Sequence, residues 1–287
     1  METLATTPTS ASSSSSGSGS GSGTATSSGT TPPSSSSSSS SNTTLLPTPI
    51  PPPPPSLIPA TWHTTIRRIT PSTAPAAALS LSHAFASDPY ARYLVNHTPS
   101  SDPESLWSLH LALNTAFVTA HALSGLATTI GPASDCVALW LPPGTNLSSP
   151  LTSFRSGLWS LRFRLSRECR RRYFSEIGPL LRATKREVLG AREAQAWYLV
   201  YLGTRPESRG RGLAGKLVGD VMGMADRAGQ PIYLESSSRA NDGYYARFGF
   251  EVRREIYLTR GEERVRLAVM VREPGAKGVG GEKGGLL

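Results

Sequence analysis

The first 60 residues exclude a folded N-terminal domain. Serine, threonine, proline and glycine occupy 47 of these 60 positions, and Glu2 is the one charged side chain among them. A segment of this composition buries too little apolar surface to offset the conformational entropy lost on folding. We therefore predict a disordered leader over residues 1–60. We expect a flexible tail rather than a targeting signal, because the segment lacks the basic start and apolar core of a secretory signal and the arginines of a transit peptide.

The rest of the chain has the length of one domain, which we predict over residues 61–274, followed by a flexible Gly/Lys-rich tail over residues 275–287. Because Glu2 is the one charge in the leader, this part carries 29 basic and 19 acidic residues. A basic surface favours an anionic partner, which could be nucleic acid, membrane lipid or a phosphorylated cofactor.

The two cysteines, Cys136 and Cys169, form neither a disulfide framework nor a metal-ligand spacing. We therefore predict no metal site and an intracellular, cytoplasmic protein, with the nucleus as an open alternative.

Residues 105–134 contain no Asp, Glu, Lys or Arg and are long enough to span a bilayer. They nevertheless contain two histidines, an asparagine and several threonines, which are too polar for lipid. Leu109, Leu113 and Phe117 recur at helical spacing and mark one buried face. We predict an amphipathic helix over residues 103–124 and no membrane span.

Hydrophobic patterning and Gly/Pro punctuation predict the other elements. Strands are expected over residues 64–70, 126–130, 136–141, 197–202, 231–235, 250–258 and 264–271, and helices over residues 71–87, 158–186 and 213–228, with a helical turn over 244–248. The helix over 158–186 is the most basic, since residues 155–186 contain ten Lys or Arg and two glutamates. Its cationic face is either simply solvated or a docking surface for an acidic substrate or nucleic acid.

A glycine-rich turn lies between the strand that starts at Trp197 and the helix that follows. The first amides of a helix have no internal partner and point outward, with the positive end of the helix dipole behind them. Glycines allow an anion to approach the backbone, and two arginines add positive charge. This arrangement predicts a phosphate-binding turn made of Arg209, Gly210, Arg211, Gly212, Leu213, Ala214 and Gly215.

One interpretation of this turn is a dinucleotide-binding fold. Residues 210–215 satisfy G-x-G-x-x-G, and Glu235 follows twenty residues later, where a ribose-binding acid would lie. Three features disfavour it. Six residues separate the strand from the turn, too little chain follows for a doubly wound sheet, and the upstream segment lacks strand–helix alternation.

The other interpretation is acyl-CoA binding. Arg209, Gly212 and Ala214 satisfy R/Q-x-x-G-x-G/A, and residues 245–250 read YARFGF, with Asn241 four residues before the tyrosine. In these motifs the chain resembles the GNAT superfamily of acetyl-CoA-dependent N-acetyltransferases. The segments AFASDPYARYL and VALWLPPG resemble a fungal branch of these enzymes, so the resemblance covers residues 64–271.

The resemblance implies an α/β fold: a mixed, mostly antiparallel sheet with flanking helices, whose bulged central strand splays from the next. Acetyl-CoA would then be the acyl donor, and an amine would be the acceptor. The implied cofactor-binding residues are Leu202, Gly203 and Thr204 on the strand, Asn241, and the turn from Arg209 to Gly215.

For the chemistry, the resemblance implies that Tyr245 protonates the leaving thiolate, with core packing as the alternative. Glu235 is the candidate base that deprotonates the amine, or else a residue that binds substrate or ends its strand. A backbone amide near Leu202 would stabilise the oxyanion, and Asn241 would contact the cofactor or cap a helix. Protein N-termini, lysines, polyamines, amino sugars and small amines all remain open as acceptors. A protein that binds nucleic acid through residues 155–186 is the leading alternative, and a dinucleotide-binding protein is a weaker one.

Overall fold

A computed structural model describes residues 57–95 and 102–278. The predicted leader lies outside the described residues except for residues 57–60, and the predicted tail except for residues 275–278. None of the helices in this part of the chain combines the length and apolarity needed to cross a bilayer.

The strands form one sheet in the order β1-β2-β3-β4-β5-β7-β6. Every neighbouring pair is antiparallel except β4 and β5, which are parallel. The strands are β1 (Arg67–Arg68), β2 (Leu126–Ile130), β3 (Cys136–Leu141), β4 (Trp197–Thr204), β5 (Ile232–Ser236), β6 (Phe250–Leu258) and β7 (Val265–Arg272). This mixed, mostly antiparallel sheet confirms the predicted fold class and excludes the parallel sheet of a dinucleotide-binding fold.

Helices cover both faces of this sheet. They are α1 (Ala74–Ala84), α2 (Pro89–Val95), α3 (Pro103–Ser124), α4 (Pro150–Arg155), α5 (Leu158–Arg164), α6 (Arg167–Arg171), α7 (Gly178–Leu189), α8 (Leu213–Arg227) and α9 (Arg239–Ala246). Short 3₁₀ turns occur at Ala60–His63, Gly190–Gln195 and Pro206–Ser208, and a π-helical segment at Arg172–Ile177 precedes α7.

The core has two parts because successive strand residues point to opposite faces. On one face, Val137, Leu139 and Val200 pack with α1, α3 and α7. On the other face, Ala138, Trp140 and Leu199 pack with α8 and α9. The sheet is thus covered on both sides, which explains why β2 to β5 are buried along their whole length.

The predicted helix over residues 158–186 was wrong as a single element. The chain leaves the helix at Leu165, and Ser166 starts α6 by accepting a hydrogen bond at its Oγ from the Cys169 amide at 3.1 Å. Serine commonly caps the start of a helix in this way. At this position the cap starts a new helix, although the apolar spacing of Leu158, Leu161 and Leu165 predicts a continuous one. The basic residues therefore lie on several short helices.

Other predicted boundaries differ as well. The first strand is only Arg67–Arg68, and α1 ends at Ala84. The residue Asp88, which was expected only to end that helix, starts α2 by accepting hydrogen bonds from the amides of Tyr90 and Ala91. Helix α9 begins at Arg239, five residues before the predicted helical turn.

Candidate active site

Strand β4 stops pairing with β5 before the middle of its own length. The two strands pair over three residues, from Trp197 opposite Ile232 to Leu199 opposite Leu234, whereas β4 continues to Thr204. Over that continuation β4 pairs with β3 on its other side. The two strands therefore separate beyond Leu199, which leaves a gap between them towards the C-terminal end of β4.

A β-bulge at the branch point accounts for the gap. Trp140 of β3 lies opposite Leu199 and Leu139 lies opposite Tyr201, so Val200 is an extra residue in β4. Val200 and Tyr201 consequently both pack in the core on the α1 side. A bulge bends its strand and increases the local twist, and this turns the rest of β4 away from β5.

The three residues of β4 that were predicted to bind the cofactor lie in the part of the strand that borders this gap. Leu202, Gly203 and Thr204 pair with Ala138, Val137 and Cys136 of β3 and do not pair with β5. Gly203 is packed against α1, because a Cβ built there would lie 2.7 Å from Leu81 Cδ2 and 2.9 Å from Ala84 Cβ. The absence of a side chain therefore permits the close approach of β4 to α1.

The glycine-rich turn connects β4 to α8. Gly210 and Gly212 have φ values of 76° and 72°, and Gly212 is the residue that precedes the first turn of α8. A Cβ built on either glycine meets nothing within 4 Å among the described residues. The amides from Leu213 to Gly215 belong to the first turn of α8, and a helix N-terminus next to open glycines suits a phosphate group.

The two arginines of the turn differ in position. The half-buried Arg209 donates hydrogen bonds from Nε to the Thr204 carbonyl at 3.4 Å and from an Nη to the Ala84 carbonyl at 3.2 Å. It therefore ties the turn to β4 and α1. Arg211 is exposed, and one Nη lies 3.5 Å from Ser208 Oγ. Both leave positive charge beside the start of α8.

The side-chain amide of Asn241 lacks a partner. Asn241 is fully buried on α9, and neither Oδ1 nor Nδ2 has a hydrogen-bond partner among the described residues. A buried polar group without a partner costs about 1–3 kcal/mol. Asn241 does not cap the helix, since α9 starts at Arg239, so a ligand that pairs with this amide fits the site.

Tyr245 lies on the same helix as Asn241 and is fully buried. Its ring packs edge-on against Phe250 and Tyr244, with centroid distances of 5.6 Å for both. The neighbouring Tyr244 is half-buried, and its hydroxyl lies 3.8 Å from the position of a Cβ on Gly215. Burial raises the pKa of Tyr244 to about 12, so it remains a neutral donor beside the turn.

Glu235 is the first residue of β5 beyond the segment paired with β4. It is fully buried. Its Oε2 accepts a hydrogen bond from Tyr198 at 2.6 Å, and its Oε1 accepts one from Tyr233 at 2.9 Å. The carboxylate is therefore fixed at the point where β4 and β5 separate.

A second buried carboxylate, Asp88, was missed as a site residue. Its Oδ2 accepts a hydrogen bond of 2.6 Å from Ser237, which follows β5, while Oδ1 caps α2. Burial is the main cause that raises the pKa of this carboxyl group. Asp88 thus connects α2 to the end of β5, because its partner Ser237 lies two residues after Glu235. The signal in the sequence was the Asp88-Pro89 pair, which can start a helix as well as end one.

The described residues contain no group of three His, Cys, Asp or Glu side chains that could hold a metal ion. Cys136 and Cys169 are free and buried. Burial raises the pKa of Cys136 to about 12, and its Sγ accepts a hydrogen bond from Thr204 Oγ1. This thiol is therefore a packing group rather than a nucleophile.

Comparison with known proteins identifies relatives over about 70% of the chain. An uncharacterised N-acetyltransferase of Schizosaccharomyces pombe is 38% identical over 198 residues, which cover 69% of this chain and 78% of the yeast protein. The crystal structure of a histone acetyltransferase and related acetyltransferase from Corynebacterium glutamicum has 22% identity and a TM-score of 0.50, with 75% of this chain and 98% of that chain covered. An arylalkylamine N-acetyltransferase of Aedes aegypti has 17% identity and a TM-score of 0.46, with 73% and 98% covered. No protein-family model matches the chain.

Proposed function

Because the chain belongs to the GNAT N-acetyltransferases, we propose that its bulged strand and glycine turn bind acetyl-CoA for transfer of the acetyl group to a primary amine. The observation that carries this proposal is the end of the β4–β5 pairing at Leu199, five residues before β4 itself ends. A gap of this kind leaves room for an extended ligand between two strands, and the start of α8 suits its phosphates.

In this proposal the pyrophosphate lies on the amides from Arg209 to Gly215, and the pantetheine arm lies along Leu202, Gly203 and Thr204. Asn241 supports the assignment, because its buried amide has no partner among the described residues and would gain one from the ligand. The amide near Leu202 would donate to the oxyanion that forms on the acetyl carbon. Donors placed in advance at such a position are among the largest contributions to catalysis.

We assign the base to Glu235. An ammonium has no lone pair, so the acceptor must lose a proton before it attacks the thioester. The hydroxyls of Tyr198 and Tyr233 occupy the two carboxylate oxygens of Glu235. The proton therefore passes through one of these hydroxyls or through water. Tyr245 would give its proton to the departing thiolate.

The acceptor class in the proposal is a primary amine, and its identity is left to experiment. The candidates are protein N-termini, lysines, polyamines, amino sugars and small amines. The compartment is likewise part of the proposal: the two free, buried thiols are compatible with a reducing, cytoplasmic environment.

A ligand screen tests the cofactor. Thermal-shift measurements with acetyl-CoA, longer acyl-CoAs, NAD and NADP should show stabilisation by acetyl-CoA and none by the dinucleotides, because a ligand that binds only the folded state raises the melting temperature. Stabilisation by NAD or NADP with no response to acetyl-CoA would refute the proposal.

A rate measurement tests the base. With an amine that the screen identifies as an acceptor, Glu235→Gln should lower kcat/KM by about 100-fold or more and leave the Kd for acetyl-CoA within about twofold. Glu187→Gln is the matched control, because Glu187 is an exposed glutamate paired with Arg254. Equal rates for Glu235→Gln and the unaltered protein would remove Glu235 from the base role.

A further inference from the structure

Four large apolar side chains point into solvent from α4 and α5. The exposed fractions are 64% for Leu151, 71% for Phe154, 53% for Trp159 and 67% for Phe163. Leu151 and Phe154 are three residues apart on α4, and Trp159 and Phe163 are four apart on α5, so each pair lies on one side of its helix. We call these four side chains the apolar patch. Trp159 and Phe163 are in direct ring contact, and exposed apolar surface of this kind marks an interaction site.

The inner sides of α4 and α5 fix this orientation. Thr152 on α4 is buried, and its Oγ1 lies 2.6 Å from Ser124 Oγ at the end of α3. Leu158 and Leu161 of α5 are buried in the core on the α1 side. The apolar patch is thus on the outer side of helices whose other side is already packed, and it cannot turn inward without unpacking them.

The segment that carries the apolar patch is rich in exposed arginines. Residues 150–171 contain one acidic side chain, Glu168, which binds Arg260 with Nε–Oε1 at 3.1 Å. The exposed arginines of this segment are Arg155, Arg162, Arg164, Arg167, Arg170 and Arg171. The surface therefore combines apolar and aromatic side chains with a positive charge of several units.

We propose that the apolar patch and its arginines bind the surface of a membrane that contains anionic lipids. Trp, Phe and Leu side chains flanked by Arg are the composition of segments that lie in the membrane interface, where the rings enter the headgroup region and the cations contact anionic lipid. This binding is peripheral and independent of the acetyl-transfer site.

Two other occupants fit the surface less well. A second copy of this chain would bring the same arginines face to face, and like charges oppose that contact. Single-stranded nucleic acid stacks successive bases on parallel ring faces, whereas Trp159 and Phe163 pack edge to face, with their planes 74° apart. Leu151 has no aromatic ring on which a base could stack.

Vesicle sedimentation with the full chain tests the proposal. Phosphatidylcholine vesicles with and without phosphatidylserine are compared for the unaltered protein, for Phe154→Ser/Phe163→Ser and for Arg155→Glu/Arg162→Glu. We expect binding to the phosphatidylserine vesicles, weakened at least about tenfold by the Phe pair and at least about fivefold by the Arg pair. The fluorescence of Trp159 should also shift to the blue on binding, and this shift should be missing in Trp159→Phe.

The matched control is Leu79→Ser/Val252→Ser, which removes two exposed apolar side chains from α1 and β6 and should bind as the unaltered protein does. Melting temperatures show that each variant is folded. Failure of the unaltered protein to bind either vesicle, or undiminished binding by the Phe pair, overturns the proposal. The proposal is also overturned if the protein does not bind vesicles but binds a labelled single-stranded oligonucleotide, or associates with itself, in a way that the Phe pair abolishes. None of these results depends on acetyl-CoA binding, so the proposed function is judged separately.

Discussion

Substitution of Gly212 by aspartate should separate ligand binding from folding. The left-handed backbone at Gly212, with φ of 72°, costs a residue with a Cβ about 1–2 kcal/mol. No described atom lies within 4 Å of the new Cβ, so overpacking adds nothing. For a domain of this size we expect a melting temperature lower by roughly 2–8 °C, at about 2–4 °C per kcal/mol.

The effect on acetyl-CoA should be much larger. The new carboxylate would lie beside the pyrophosphate, and two negative charges about 4 Å apart repel by roughly 4 kcal/mol near a protein surface. Since each 1.4 kcal/mol changes a Kd about tenfold, Gly212→Asp should weaken acetyl-CoA binding by at least about 100-fold. Gly212→Asn has nearly the same shape, tolerates the same backbone and carries no charge, so its loss should be nearer to about tenfold.

Titration calorimetry with acetyl-CoA measures these constants, and Gly229→Asp is the matched control. Gly229 has φ of 64° and equally open space, but it follows the opposite end of α8. Its variant should lose similar stability and keep its acetyl-CoA affinity. Unchanged affinity in Gly212→Asp, or an equal loss in Gly229→Asp, would show that the pyrophosphate does not lie at the start of α8.

Three further changes have defined outcomes. Tyr245→Phe keeps the packed ring and should lower kcat by about 100-fold with the Kd for acetyl-CoA unchanged; an unaltered kcat in steady-state assays would leave Tyr245 a packing residue. Asp226→Asn should lower the free energy of unfolding by about 2 kcal/mol, because Asp226 accepts hydrogen bonds of 2.6 and 2.9 Å from the buried Arg272. The hydrogen bonds from Arg272 lower the pKa of Asp226 in the folded protein. The pair therefore stabilises the fold fully above the unfolded pKa of about 3.9, and this stabilisation is lost as the pH falls through the folded pKa. Urea unfolding of Asp226→Asn and of the unaltered protein, measured above and below these pKa values, would contradict this if the two proteins were equally stable at both pH values. Gly203→Ala places a Cβ 2.7 Å from Leu81 and should destabilise the fold by about 1–3 kcal/mol, measured by urea unfolding, whereas a neutral result would mean that α1 moves freely.

The predictable parts of the fold are those set by local pattern. The hairpin of β2 and β3 has its predicted bounds, because two apolar runs flank a turn that contains Gly131 and Pro132. Helix α3 also has its predicted bounds, because Asp102 caps its first turn and Gly125 follows its last. Helix α8 begins at Leu213, next to its glycines, for the same kind of local reason.

Other features depend on contacts between distant segments. The bulge at Val200 follows from the register of β4 on β3. The residues around Val200 carry no local sequence signal for a bulge, so only the family resemblance implied one. The hydroxyls of Tyr198 and Tyr233 reach Glu235 because β4 and β5 pair in parallel at that point. The break at Ser166, in contrast, had a signal in the sequence, since serine favours the start of a helix.

In the proposed complex, acetyl-CoA lies in the gap between β4 and β5 with its pyrophosphate on the turn before α8. A crystal structure of the protein with acetyl-CoA measures this directly. We expect pyrophosphate oxygens within hydrogen-bond distance of amides between Arg209 and Gly215, and the pantetheine arm beside Leu202 to Thr204. Density for acetyl-CoA at another surface, or β4 and β5 paired along their whole length around an excluded ligand, would contradict it.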